Sequence, residues 1–89
     1  MPTISMFYDI LVLMLFRDNR RHHLQHIHVR YQSDEAAVAI DDGALLDGNL
    51  PPKQLKMVQA WIESHKEELF VDWELAIKGE EPFRIAPLQ

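Results

Sequence analysis

His26-Ile27-His28-Val29-Arg30-Tyr31, then Gln32-Ser33-Asp34-Glu35, then Ala36-Ala37-Val38-Ala39-Ile40-Asp41, is the stretch on which the fold turns. Side chains along a strand point alternately to its two faces. In the first run Ile27, Val29 and Tyr31 fall on one side, and His26, His28 and Arg30 on the other. The last run alternates again, with Ala36, Val38 and Ile40 on one side. A polar tetrad between two alternating runs is a turn, so the whole reads as an antiparallel hairpin. Asp42-Gly43 is a second turn signal, because glycine takes a positive φ without steric cost. Ala44-Leu45-Leu46-Asp47 then reads as a short return strand, ended by Gly48.

Toward the N-terminus, Ile10-Leu11-Val12-Leu13-Met14-Leu15-Phe16 is too uniform for periodicity to settle. Its length, aromatic end and polar boundaries favour a strand. Both faces would be apolar, which suits a central strand or one at a subunit contact. Thr3 to Tyr8 is a short opening segment, and Arg17 to Gln25 is a polar connection. Toward the C-terminus, Pro51-Pro52 opens a helix, where a missing N–H costs nothing. Leu55, Val58, Trp61, Ile62, His65, Leu69, Trp73 and Ile77 recur at three- and four-residue steps, a stripe that faces the sheet. Ser64-x-x-Glu67 is a capping-box pattern inside it and predicts a break near His65. Gly79 is placed to end the second helix. Phe83 and Ile85 have the extended spacing of a tail that docks beside the sheet. The expected fold is therefore α+β, a small antiparallel meander of about four strands packed by a C-terminal helix or helix pair. It forms a single domain, with residues 1–48 as sheet region, 50–79 as helical region and 80–89 as extended tail.

The 89 residues leave room for one thin core. There is no cysteine, so neither a disulfide nor a thiolate metal site is available. The longest apolar run, seven residues from Ile10 to Phe16, is far short of the roughly 20 that span a bilayer. Its flanking charges also have the wrong polarity for a secretory signal. A cytoplasmic protein with no membrane contact is expected. The net charge is −5, yet residues 17–30 sum to +3 and the remainder to −8. An acidic chain with one basic island is not a bulk nucleic-acid binder, but the island can hold one phosphate, one carboxylate or an acidic partner.

That island carries the candidate chemistry. His26 and His28, two apart on a strand, point the same way and make half of a zinc, nickel or iron site. His22 or His23 would supply a further ligand of such a divalent-metal centre. Without metal, His26 and His28 are acid–base candidates and Arg20, Arg21 and Arg30 phosphate grips, the parts of a small metal-independent ribonuclease acting on RNA; with Arg17, the same arginines can bind an anion or partner. The reading with the fewest geometric demands is binding without catalysis, to a protein partner or a second copy of the chain. Trp61, Trp73, Phe70 and the methionines sit at core spacing. Glu63, Glu67, Glu68, Asp72 and Glu74 read as a solvated helix face. No phosphate loop, serine elbow or zinc-protease motif is present.

Met1-Pro2-Thr3-Ile4-Ser5-Met6-Phe7-Tyr8, His22-His23-Leu24-x-His26-Ile27-His28-Val29-x-Tyr31 and Trp73-Glu74-Leu75-Ala76 together resemble a bacterial family, domain of unknown function 4160. The stretch from Leu50-Pro51 to Lys66-Glu67-Glu68-Leu69 fits its pattern too, so the likeness covers nearly the whole chain and the start at Met1 reads as native. The resemblance implies a toxin–antitoxin-like two-gene system, with this chain as either member and the neighbouring gene's product as its partner. It maps the family's histidine motif onto His23, His26 and His28. Asp9 stands where the family usually has glycine, Gln25 where it has proline, and Leu13 where it often has a polar or basic residue.

Overall fold

The computed structural model describes residues 3–15 and 24–88. Five strands, β1 (Thr3–Phe7), β2 (Ile10–Leu13), β3 (His26–Tyr31), β4 (Asp34–Ala39) and β5 (Leu45–Gly48), form one antiparallel sheet in chain order. Two helices follow, α1 (Pro52–Ser64) and α2 (Lys66–Ile77). The α+β meander is as expected, with one more strand than about four.

The additional strand is β1, and its turn explains why it is hard to read. Phe7 pairs with Ile10, so Tyr8 and Asp9 alone make the connection. Both have positive φ, 49° and 65°. That is the two-residue hairpin geometry that Asn-Gly usually supplies, and here no glycine announces it. β2 is shorter than the apolar run suggests. Its ladder ends at Leu13, Met14 and Leu15 lie beyond it, and Phe16 is outside the described residues.

The register settles which residues share a face. Val12 lies opposite Val29, which lies opposite Ala36; Ile27 lies opposite Val38. These side chains form the core with Phe7, Ile10, Ile40, Val58, Trp61, Ile62, Leu69 and Trp73. The helices therefore cover the Ile27–Val29 face. On the second face Leu11 pairs with Arg30, and Leu13 with His28, which in turn pairs with Ala37. Met6, across from Leu11, is 60% exposed, so it does not share the core role read for the methionines.

Pro52 occupies the first turn of α1, where a missing N–H is tolerated. The helical stripe breaks at His65, as expected, but not through a capping box. Ser64 donates its hydroxyl to Ala60 O at 3.2 Å, and His65 Nδ1 meets Glu68 Oε1 at 2.8 Å instead. Gly79, at φ 79°, closes α2. The Gly79 N–H donates to Ala76 O and the Glu80 N–H to Leu75 O, which satisfies two carbonyls of the last turn.

Residues 80–88 return as a strap. The Ile85 N–H donates to Ile4 O at 2.7 Å, at the free edge of β1. Trp61 Nε1–H donates to Ala86 O at 2.8 Å. Ile85 is buried, whereas Phe83 is 69% exposed and docks only through its backbone. Its N–H donates to Asp72 Oδ1 at 2.9 Å. Asp72 is thus not part of a solvated face: it is 1% exposed, among the most buried polar residues described. No helix among the described residues is long and apolar enough to cross a membrane.

Candidate functional site

β3 is the middle strand, flanked by β4 along its length and by β2 from His28 to Tyr31. It places His26, His28 and Arg30 in a line on the second face of the sheet, as the alternation requires. Their environments differ sharply along that line.

His26 is closed off, at 1% exposure. Its ring lies 5.1 Å from Trp73 of α2 and 5.1 Å from His28, the latter edge-on. Nδ1 lies 2.7 Å from Leu24 O. A carbonyl only accepts, so Nδ1 carries the proton, and that bond fixes the ring at the mouth of the strand. α2 therefore reaches this end of the second face, and His26 does a core residue's work there.

His28 is half-buried between Leu13 and Ala37 in the register. It is the imidazole of the pair that partly opens outward. Arg30 is more open still. Its Nε lies 2.8 Å from Glu35 Oε1, the residue directly opposite on β4, and the two side chains are 43% and 68% exposed. An ion pair this solvated contributes about 1 kcal/mol or less. The Arg30 guanidinium can exchange Glu35 for another anion at little cost.

Beside the start of β3 lies an open depression of about 250 Å³, lined by Leu24, Gln25, Ala39, Asp41, Asp42 and Phe70. The Asp42 carboxylate is already engaged as acceptor of the Ala44 N–H at 2.9 Å. Leu24 is 60% exposed at its rim. The chain leads from there into the basic connection. Arg17, Arg20, Arg21, His22 and His23, the other anion and metal candidates, lie outside the described residues. Among the described residues no group of three histidine, aspartate or glutamate side chains is placed to hold a metal ion.

Acid–base catalysis by both imidazoles asks each ring to meet a substrate. The structure brings His26 and His28 together, but only His28 and Arg30 face outward. The residue that sequence reasoning missed is Trp73. Its core spacing predicts packing alone, yet among the described residues its ring lies against that of buried His26. An aromatic on the helical stripe one layer from a buried strand histidine is a signal that only the fold makes visible.

No curated protein and no solved structure matches the chain. A family model does, over residues 9–74, from the turn before β2 to the middle of α2, so that it takes in the whole His26–Arg30 strand and Trp73. The chain belongs to the family described as domain of unknown function (DUF4160).

Proposed function

We propose that the protein is the binding component of a toxin–antitoxin-like two-gene pair, acting in the cytoplasm. It engages the product of the adjacent gene through the Met6, Leu11 and Arg30 end of the second sheet face and through the basic stretch of residues 17–25; Leu13, Ala37 and Ala39, further along that face, are buried. The observation that carries this reading is the composition of that face. Met6, Leu11, His28 and Arg30 lie on three adjacent strands opposite the core, and Met6 is 60% exposed while Arg30 holds only a solvated ion pair. A mixed apolar and cationic surface on a rigid sheet is suited to recognition, with the arginine choosing an acidic counterpart. His26, on the same face but buried against Trp73, anchors the end of the strand beside that surface.

The test is induction of this gene alone and together with its neighbour, followed by purification of any complex. The expected outcome is normal growth on induction alone, and a complex that His28→Ala/Arg30→Glu weakens at least about tenfold, roughly 1.4 kcal/mol. Growth arrest relieved by His28→Ala, with cleaved RNA in the arrested cells, would replace binding by the ribonuclease-type reading. A metal that co-purifies with tag-free protein and raises its melting temperature would favour the histidine metal centre.

A further inference from the structure

Asp72 lies on α2 beneath the strap of residues 80–88. Its Oδ1 accepts the Phe83 N–H at 2.9 Å, and its Oδ2 has no hydrogen-bond partner among the described residues although the residue is 1% exposed. A buried carboxylate with one bond and a bare oxygen is costly when ionised, and far less so when the bare oxygen carries a proton. The charged groups around it sharpen the contrast. Glu68, one turn earlier on α2, repels the ionised form and is itself bonded to His65 Nδ1 at 2.8 Å. The His65 ring lies 5.5 Å from that of Trp61, the residue whose indole N–H holds Ala86. From the strap itself Asp72 receives a backbone N–H; Glu81 and Arg84, which flank this point, are both exposed. No cation is bonded to Asp72 among the described residues.

The strap is the part of the molecule that can answer this cost. Residues 80, 81, 83, 84, 86 and 87 are exposed, and neither helix nor ladder holds it. It is tied by the bonds to Asp72, Ile4 and Trp61, by the buried Ile85 and Pro82, and by Leu88, which packs against the core. Segments with few buried contacts open at a fraction of the global unfolding free energy. Gly79, already in the left-handed region, provides a point about which it can swing.

We propose that Asp72 is a proton-controlled latch on the C-terminal strap: neutral, it stays buried beneath the strap; ionised, it favours release of the strap to water. The ionised form accepts the Phe83 N–H more strongly, but the cost of its bare buried oxygen and the repulsion from Glu68 outweigh that bond. Release uncovers the edge of β1 at Ile4 and the indole N–H of Trp61. An exposed strand edge is a site of further pairing, so the latch sets how much of that edge the molecule shows. The device is independent of the second sheet face and of the partner proposed for it.

The experiment is amide hydrogen exchange of the full chain, reading the protection of Ile85 and of the Trp61 indole N–H relative to Val29 in the core. The window runs from the ordinary aspartate value of 3.8 to neutrality. Expected is a fall in relative protection of Ile85 and the Trp61 indole as pH rises, with no change in the core. Asp72→Asn keeps the acceptor for Phe83 without the charge and should hold the ratio high and flat. Glu68→Gln, which can still accept from His65, should move the transition to lower pH. A wild-type ratio that stays flat across the window overturns the latch, and so does an Asp72→Asn protein that follows the wild-type curve. The wild-type titration decides alone if a variant does not fold.

Discussion

At Asp9 the backbone and the side chain disagree. The residue holds φ 65° in a two-residue turn beside Tyr8 at φ 49°. Non-glycine residues resist this region by about 1–2 kcal/mol, aspartate less than most. Asp9 is thus a residue that the turn tolerates rather than favours. Asp9→Gly should stabilise the protein by about 0.5–1 kcal/mol, seen as a later midpoint in urea with an unchanged slope. Gly48 presents the opposite case. It holds φ 75°, and a Cβ there would stand 2.1 Å from Glu35 O. That oxygen belongs to the backbone of β4 and already accepts the Asn49 N–H, so it has no room to retreat. Gly48→Ala should cost at least about 2 kcal/mol and part β5 from β4, visible as lost amide protection at Asn49, whose N–H donates to Glu35 O. Asp72 adds a pH term. Its pKa is raised by burial and by Glu68, so the folded state binds more protons than the unfolded one above 3.8. Stability therefore falls as pH rises from there through the raised value. Asp72→Asn should abolish that fall, gaining stability at neutral pH and nothing at acid pH in thermal melts.

β3 shows how one element can carry two roles along its length. Its sequence places His26 and His28 on one face, and that much was legible in the alternation. What alternation cannot report is how far the helix layer reaches around the end of the sheet. Trp73 closes over His26 and leaves His28 partly open. His26→Ala should therefore behave as a core mutation, losing a buried ring and the bond to Leu24 O at a cost of about 2–4 kcal/mol. His28→Ala should cost less than His26→Ala while weakening the proposed partner binding. Thermal melts beside titrations separate the two, and equal destabilisation by both would refute the division. The same limit of local reading applies elsewhere. The β3–β4 hairpin follows from period; the helix break at His65 falls where the Ser64-x-x-Glu67 pattern puts it, although that capping box does not form. β1 does not, because Tyr8-Asp9 lacks the glycine that marks its turn. Asp72 falls among acidic residues that face water, and only the return of the strap buries it.

Across the whole molecule, charge and apolar surface are separated in a way that makes the proposed binding testable without knowing the partner's structure. The chain carries −5 overall, but the 17–30 region carries +3. Arg30 stands at one end of this region on a rigid strand, paired only with an exposed Glu35. Lys53, by contrast, is exposed in the first turn of α1, on the opposite layer. Arg30→Glu and Lys53→Glu change the net charge identically and the local field differently. If association is steered by the island, Arg30→Glu should slow it by about tenfold or more at low salt, and Lys53→Glu should leave it nearly unchanged. Near 1 M salt, where the screening length shrinks to about 3 Å, the on-rates of all three proteins should converge, leaving only the difference in dissociation rate that the lost Arg30 contact causes. Stopped-flow association with the adjacent gene's product measures this directly. Equal slowing by the two variants would mean that net charge alone governs the encounter, and the sheet face would then lose its claim to be the docking surface.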